Sequence, residues 1–224
     1  MPRTDPADHP LRPPLRHDDP ARPRTGYPRK RARTRRQLMD AGVVVLARTG
    51  REGATVGEVA REARVSPATF YNHFSDLDEL TDAVVDDLAA AVEIGRELLT
   101  AVEHDPAARV AIGTRQLLDL AGDDPSTAQA FVTLLATVPA FRRRVRATVA
   151  GAVEAGIAEG RFTRQPVEVV VDALIGAVTQ WIRTRLAGET DDAGDIARLT
   201  LALRIAGLAT DDATEVVAGA LAHA

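Results

Sequence analysis

The sequence predicts an all-α protein. Apolar side chains recur at spacings of three and four along most of the chain, which is the period of an amphipathic helix. No stretch bounded by turn residues shows the sustained alternation typical of a β-strand, and proline, serine or aspartate opens most of the periodic segments. With 224 residues, 45% of them hydrophobic, the chain is long enough for one or two folded domains.

The first 28 residues differ in composition from the rest of the chain. They hold eight of the 13 prolines, and their only aliphatic side chains larger than alanine, the initiator methionine aside, are Leu11 and Leu15. Such a segment cannot bury enough apolar surface to offset its ordering entropy, so residues 1–28 are predicted to be a disordered arm rich in Pro and Arg. Two interpretations of its role remain open: a solvated leader, or an arm that follows phosphates or a minor groove.

Charge is distributed unevenly along the chain. Residues 1–36 carry ten Arg, one Lys and four Asp, a charge of +7, whereas residues 37–224 carry −11, which gives the overall −4. A basic segment on an acidic body indicates contact with a polyanion at one end of the molecule.

Three helices are predicted after the arm. The first spans 31–49 and ends at Gly50, because glycine is the preferred residue just beyond a helix. Thr55 begins the second helix, with a glutamate three residues later at the capping-box spacing. Ser66 begins the third helix, which runs to about Phe74, because serine is a favoured N-cap and the proline after it suits the first helical position.

A long helix and six further helices are predicted in the rest of the chain. Their expected boundaries are 76–102, 106–121, 125–137, 139–160, 166–187, 192–207 and 211–222. The long helix begins with aspartates and a glutamate, where the helix dipole favours negative charge. Segments 166–187 and 192–207 are apolar on more than one side, which predicts burial against the chain's own core and a second surface.

Composition and motifs exclude several classes of function. The absence of cysteine excludes disulfides, thiolate metal sites and a cysteine nucleophile. No two of the five histidines lie three or four residues apart, so neither a metal site nor another cofactor is expected. The glycine, serine and histidine patterns of common enzymes are missing, so catalysis is not expected. No apolar run approaches about 18 residues and no secretory signal is visible, so we expect no membrane contact and a cytoplasmic location.

Residues 55–74 carry the most informative pattern. Two short helices joined by three or four residues form a helix-turn-helix, whose second helix enters the major groove of DNA. The run Val-Ser-Pro-Ala-Thr-Phe-Tyr-Asn-His-Phe offers hydrogen-bonding side chains on one side, while Phe70 and Phe74 are expected in the core. With the preceding Thr55 and Val59-Ala60 and the following Asp-Leu-Asp-Glu-Leu, residues 31–85 resemble the N-terminal domain of TetR-family transcriptional repressors.

The resemblance implies a set of DNA contacts. Residues Pro67, Ala68 and Thr69 would face bases, Tyr71 and His73 would bind phosphates, and Asn72 would bind either a phosphate or an adenine edge. Ser66 adds a further hydrogen-bonding group to this helix. Thr55 would cap the second helix beside a phosphate, and Arg31, Arg33 and Arg35 would bind phosphate at the start of the first helix.

Three positions depart from the family pattern. Arg64 occupies the turn where the family usually has glycine, so a positive φ there would cost about 1 kcal/mol. Gly57 stands where a base-reading arginine can occur, and Asp76-Leu77-Asp78 lacks the lysine with which the fourth helix commonly begins. All three departures weaken the expected electrostatic attraction to DNA. The arginine-rich arm could compensate for this loss.

The resemblance also implies two domains and a dimer. Residues 29–75 would form the DNA-binding domain, and residues 76–224 a helical domain for ligand binding and dimerisation. The expected pocket residues are Gln116, Phe131, Leu134, Leu135, Phe141, Gln180 and Trp181, and the expected dimer contacts are Leu174, Val178, Ile182, Leu199 and Leu203. Two-fold symmetry would place the recognition helices about 34–36 Å apart.

The function implied is that of a repressor released from a palindromic operator by a small apolar or amphipathic effector. The alternative is a DNA-binding regulator without a small-molecule ligand, constitutive or controlled by a protein partner. A cavity of roughly 300 Å³ or more in the C-terminal domain would favour the effector, and a solid core the alternative. The run Arg142-Arg143-Arg144-Val-Arg146 is interpreted as a solvated helix face paired with acidic neighbours rather than as a second DNA site.

Overall fold

The computed structural model describes residues 27–189 and 192–222, and every regular element in this part of the chain is helical. The helices are α1 Tyr27–Gly53, α2 Val56–Glu62, α3 Pro67–Tyr71, α4 Leu77–Val102, α5 Pro106–Asp123, α6 Pro125–Thr137, α7 Pro139–Ala158, α8 Val167–Leu186, α9 Asp192–Ala206 and α10 Thr210–Ala222. The predicted all-α class is confirmed. Residues 1–26 of the predicted arm lie outside the described residues, and the last two positions of the predicted arm, 27 and 28, belong to α1.

Local capping explains where the helices begin. The backbone amide of Thr69 donates to Ser66 Oγ at 3.1 Å, and that of Glu79 donates to Asp76 Oδ1 at 2.8 Å. Helices α3, α5, α6 and α7 each have proline in the first turn, where the missing N–H leaves no helical bond unmade. These signals are short-range, so the predicted starts of these helices agree with the structure.

Two helix ends near the DNA-binding region differ from prediction. The expected stop at Gly50 is a kink within α1, where Gly50 has φ 67° and ψ −179°, and helical turns continue to Gly53. Helix α3 ends at Tyr71 rather than at Phe74, because the chain must leave the helix to reach the extended cap Asp76.

One apolar core connects the N-terminal helices with the C-terminal domain. Leu38 and Phe70 belong to the same buried cluster as Phe131, Phe141 and Ile182. Helix α1 packs along α6, and Gly50 contributes to this contact, since a Cβ there would lie 3.8 Å from Thr133 Cγ2. The predicted division at 75/76 therefore does not coincide with a break in the core.

A second cluster stabilises the far end of the molecule. Leu199, Leu203 and Val217 pack with Phe162, which follows α7. The amides of residues 161 and 162 both donate to the carbonyl of Gly156, at 2.8 and 3.0 Å, so the chain folds the Phe162 ring back onto α7. Among the described residues, no helix is long and apolar enough to cross a membrane.

Candidate nucleic-acid interface

Helix α3 has one buried side and one exposed side. Phe70 is fully buried, whereas Tyr71 is 58% exposed. The other predicted contacts of this segment are exposed at Ser66, Pro67, Ala68 and Asn72 and half-buried at Thr69 and His73. The hydrogen-bonding groups therefore lie on the accessible side of a short, capped helix, as docking into a major groove requires.

Contacts from α1 and α2 hold α3 in place. The Phe70 ring packs 5.7 Å from the Phe74 ring, measured between centroids. The Gln37 side-chain amide donates to the carbonyl of Ala63 at 2.6 Å, which ties α1 to the turn before α3. The helix is thus presented by a rigid support rather than by a free loop.

Basic side chains of α1 lie beside the end of α3. Arg31, Arg33 and Arg35 are exposed, and the Arg35 guanidinium lies 4.7 Å from the centroid of the Phe74 ring, within cation–π range. Arg31 and Arg35 are also close enough to His73 for their charges to act on it. The structure therefore brings two of the three predicted arginines to the predicted phosphate contact at His73.

The environment of His73 perturbs the pKa of its imidazole, which the sequence alone does not reveal. Its Nδ1 atom is buried and finds no hydrogen-bond partner among the described residues. Burial first, and then the positive charges of Arg31 and Arg35, lower the pKa of His73 from its ordinary value of 6.5. A phosphate at this position would act in the opposite direction, because a nearby negative charge favours the imidazolium.

We expect the His73 side chain to make the fold less stable in mild acid. Because its folded-state pKa is lowered, the unfolded chain binds the proton first, and stability falls as pH drops below about 6.5. Urea unfolding at pH 7.5, 6.5 and 5.5 should show a smaller loss in His73→Gln than in the wild type. Equal losses in the two proteins would refute this prediction.

Thr55 caps α2 while remaining exposed. Its Oγ1 accepts the Glu58 amide at 3.2 Å and donates to the Glu58 carboxylate at 2.9 Å. Half of the predicted capping box is present: the Thr55 hydroxyl caps the Glu58 amide, but the Glu58 carboxylate accepts from that hydroxyl instead of from the Thr55 backbone amide.

Arg64, the residue expected to be unusual in the turn before α3, has a strained backbone conformation. Arg64 has φ 54°, the one positive value for a residue other than glycine among those described. A Cβ in this conformation costs about 1–2 kcal/mol. The turn thus has the left-handed geometry that suits glycine, although its residue is arginine.

Arg64→Gly is expected to raise the free energy of unfolding by about 1 kcal/mol, since glycine adopts this conformation without the steric penalty. Urea unfolding measures the change. Arg61→Gly is the matched control: it removes an exposed arginine from the last turn of α2, where glycine should instead destabilise the helix by about 1 kcal/mol. If the free energy of unfolding changed in the same direction in both variants, this explanation would be wrong.

The acidic residues at the start of α4 stabilise this helix and its contact with α1. Asp76 caps the helix, and Asp78 pairs with Arg51 at 2.9 Å and raises the pKa of that arginine. The Ser75 amide donates to the Glu79 carboxylate at 2.6 Å and lowers the pKa of Glu79. These residues explain the start of α4 without any contact to a polyanion.

The predicted pocket residues lie partly in the apolar core and partly at the surface. Phe131, Leu134, Leu135 and Phe141 are brought together but are packed in the core, with the two phenylalanine rings 5.3 Å apart in an edge-to-face contact. Trp181 is half-buried, and Gln116 and Gln180 are exposed. Their role as a ligand pocket therefore stays a prediction. A cavity of about 250 Å³, smaller than the roughly 300 Å³ expected of a ligand site, lies elsewhere, between α5, α8 and α9.

Four of the five predicted dimer residues face the subunit's own core. Leu174, Ile182, Leu199 and Leu203 are at most 6% exposed, and Val178 is half-buried. Within the subunit, α8 packs against α5 and α7, and α9 packs against α5 and α10. The role of the five residues in a dimer therefore stays a prediction. The large apolar side chains that α8 and α9 leave exposed are Val169, Ile196 and Leu201, which sequence analysis did not select.

Two of the four arginines in the basic run on α7 pair with acidic neighbours. Arg144 lies 2.7 Å from Asp86 and 3.6 Å from Glu93, both on α4. Arg146 pairs with Glu168 and Asp172 of α8. These ion pairs join helices within the subunit and favour the interpretation of a helix face, which stays a prediction.

Comparisons with known proteins agree with this geometry. Residues 38–84 match bacterial regulatory proteins of the tetR family, and residues 105–219 match the tetracyclin repressor-like C-terminal domain. An uncharacterized HTH-type transcriptional regulator of Haemophilus influenzae is 44% identical over 59 residues, which are 26% of this chain and 29% of the relative. The HTH-type transcriptional regulator BetI of Brucella canis is 36% identical over 70 residues, 31% of this chain and 34% of BetI.

A solved structure extends the likeness of fold to most of the chain. The crystal structure of RolR in complex with resorcinol superposes with a TM-score of 0.60 at 24% identity, over 85% of this chain and 95% of RolR. The sequence relatives, in contrast, are matched over about a third of their own length. Because the C-terminal match alone spans more than half of the chain and adjoins a DNA-binding helix-turn-helix, this protein belongs to the tetR family of non-enzymatic bacterial transcriptional regulators.

Proposed function

We propose that this protein is a homodimeric repressor that binds a palindromic operator and is released by a small-molecule effector. The observation that carries the proposal is the division of α3 into a buried Phe70 side and an exposed polar side, beside Arg31 and Arg35. Paired α3 helices would enter successive major grooves, while the α1 arginines bind phosphates. Action on chromosomal DNA would place the protein in the cytoplasm.

Selection of bound duplexes from a random pool, using the full chain, tests this proposal. The expected site is a palindrome whose half-sites are separated by one helical turn, about 34–36 Å, or a multiple of it. Enrichment of a single, non-repeated half-site would overturn the dimeric mode, and no enrichment at salt concentrations that remove non-specific binding would overturn sequence-specific recognition.

The dimer surface that we propose is the exposed side of α8 and α9. Val169, Ile196 and Leu201 are 64%, 48% and 44% exposed, and the small residues Ala173 and Gly176 lie on the exposed side of α8. Exposed apolar surface on helices that are otherwise buried favours contact with a second copy, and small residues allow two helices to approach closely.

Leu201→Glu is expected to convert the dimer to a monomer, because a carboxylate in the apolar interface would lose its hydration. Sedimentation velocity measures the change, and operator affinity should fall with it. Leu98→Glu on α4, where Leu98 is 63% exposed, is the control that should leave both unchanged. A dimeric Leu201→Glu protein would contradict the proposed surface.

Release of DNA follows if the effector binds one dimer geometry better than another. A ligand with equal affinity for both geometries could not shift the population away from the one whose α3 helices match the groove spacing. The structure of RolR with resorcinol supports an effector, since that protein shares this fold and was crystallised with a small ligand.

A regulator without a small-molecule ligand is the second candidate. It is supported by the burial of Phe131 and Phe141, whose rings pack against each other in the apolar core. Operator affinity of the purified protein, measured with and without a library of small organic molecules, distinguishes the two. Uniform affinity across the library would favour a constitutive or partner-controlled regulator.

A further inference from the structure

The second half of α4 carries an apolar stripe that stays exposed in the described chain. Ile94, Leu98 and Val102 follow one another at spacings of four and are 55%, 63% and 79% exposed. Ala91 and Ala101 are exposed on the same side of the helix. A different side of α4 already packs against α1, α5 and α7. Because one apolar side suffices to pack an amphipathic helix on its core, the second one indicates a further contact.

Carboxylates outnumber basic groups beside this stripe. Residues 86–103 carry five carboxylates and one arginine, and a glutamate stands directly before each of the first two large residues of the stripe, at Glu93 and Glu97. Glu93 lies 3.6 Å from Arg144, and Glu97 lies 3.9 Å from Arg96. Ion pairs that are this long and partly exposed contribute little, so both glutamates can accept another cation. The stripe therefore suits an occupant that combines apolar and basic side chains.

The N-terminal segment of the chain has the complementary pattern. Residues 1–26 lie outside the described part of the chain, and Leu11 and Leu15 are their only aliphatic side chains larger than alanine, apart from the initiator methionine. An arginine follows each leucine, in the sequence Leu-Arg-Pro-Pro-Leu-Arg. Two apolar–basic pairs at a spacing of four thus match two acidic–apolar pairs at a spacing of four on α4.

The start of α1 brings this segment within reach of the stripe. Arg51 lies 2.9 Å from Asp78, and Arg36 lies 2.8 Å from Asp87, so α1 and α4 run in broadly opposite directions. Beyond the second ion pair, the same direction leads along α1 to Tyr27 and along α4 to the stripe. The chain before Tyr27 spans up to about 36 Å over roughly 11 residues. The helix α4 extends only about 22 Å beyond the second ion pair.

We propose that residues 11–16 dock on the α4 stripe of their own subunit. The two leucines cover the exposed apolar side chains, Arg12 pairs with Glu97, and Arg16 pairs with Glu93. Burial of apolar surface supplies the attraction, while the glutamates select a basic segment and fix its position.

The direction of the chain sets the register of this contact. The segment enters from the start of α1, so Leu15 meets Ile94 and Leu11 meets Val102. The two prolines between the leucines favour the extended polyproline conformation, in which four residues span about 12 Å. Eight residues of an α-helix, from Ile94 to Val102, rise by about the same 12 Å. The two pairs of apolar side chains are therefore equally far apart.

Docking on α4 would hold the segment away from DNA. The stripe begins roughly 21 Å along α4 from the end that adjoins α3. The side chains of residues 1–26 include five arginines and four aspartates, so their net charge is only +1 and most of the positive charge of the N-terminal region belongs to α1. Release of the segment should therefore leave operator affinity unchanged, as expected above for Leu98→Glu.

Disulfide trapping in the full chain tests the proposal, because the protein has no cysteine of its own. His17→Cys with Ala91→Cys leaves the leucines, arginines and glutamates of the contact in place. A disulfide requires Cα atoms within about 7 Å, so docking should make oxidation at least about tenfold faster than in His17→Cys with Ala147→Cys. Ala147 is the matched control, an exposed alanine on α7. Non-reducing electrophoresis over time measures the two rates.

Two further changes in the trapping protein separate the apolar and charged parts of the contact. Leu98→Glu should lower the oxidation rate to about that of the control pair, because a carboxylate in the stripe would lose its hydration under the leucines. Leu98 is exposed, so circular dichroism should show unchanged helix content. Arg12→Glu should also slow oxidation, and adding Glu97→Arg should restore the rate, since the charges of the pair are then exchanged.

Four results would overturn the inference. Equal oxidation rates for the Ala91 and Ala147 pairs would show that the segment does not dock on α4. An unchanged rate in Leu98→Glu would refute the apolar contact, and no recovery on adding Glu97→Arg to Arg12→Glu would refute the charge pairing. A disulfide that joins two copies, seen as a cross-linked dimer, would refute docking within one subunit.

Discussion

Phe70→Ala is expected to lower the free energy of unfolding by about 3–5 kcal/mol. The Phe70 ring is fully buried and packs between α1, α2 and the ring of Phe74, so its removal leaves a cavity that the short helix α3 cannot close. Since domains are stabilised by only about 5–15 kcal/mol, operator binding should weaken in parallel. Urea unfolding followed by circular dichroism measures the loss.

Tyr71→Phe is the control on the adjacent residue. Tyr71 is 58% exposed, so removing its hydroxyl should change stability by less than about 0.5 kcal/mol. Operator affinity should nevertheless fall about tenfold if the hydroxyl donates to a phosphate. A stable Phe70→Ala protein, or a Tyr71→Phe protein with unchanged operator affinity, would show that the two sides of α3 have been assigned wrongly.

Gly156→Ala is expected to destabilise the C-terminal domain by about 1–3 kcal/mol, even though alanine favours a helix more than glycine does. A Cβ at this position would lie 2.1 and 2.3 Å from two carbons of the Phe162 ring. The ring cannot move away easily, because it is 4% exposed and packs with Leu199 and Leu203. Thermal and urea unfolding provide the measurement.

Gly151→Ala gives the opposite expectation on the same helix. Gly151 is exposed, and an added Cβ would meet nothing within 4 Å, so the substitution should raise stability by about 0.5–1 kcal/mol. A rise in the stability of both variants would mean that the turn after α7 shifts to make room for the added Cβ. The role assigned to Gly156 would then be wrong.

Helix starts were predictable from sequence because their causes are local. Ser66 and Asp76 bind amides three residues away, and the proline after Ser66 acts within a single turn. The end of α3 was not predictable in the same way. Phe74 continues the apolar spacing of Phe70, yet it reaches the core from outside the helix, because the path of the chain toward α4 decides its position.

The dimer and pocket residues show what periodicity cannot decide. Helix α9 is apolar on more than one side, and only the packing of α5 and α10 determines that Leu199 and Leu203 face inward while Leu201 faces outward. The ion pairs between α5, α8 and α9 gave one signal in the sequence, the spacing of four between Arg115 and Asp119. The ion pair of Arg185 with Asp195 depends on how α8 and α9 pack together, which no local pattern predicts.

The single cluster that joins Leu38 and Phe70 to Phe131 and Ile182 has a consequence for how the molecule melts. Residues of α1 such as Leu46, fully buried here, would be exposed to water in a fragment limited to 29–75. The fragment 29–75 should therefore not fold in isolation. Heat should unfold this region together with α6 and α7 in one cooperative transition. A molecule built in this way can transmit a small shift at one end to the other without a hinge between them.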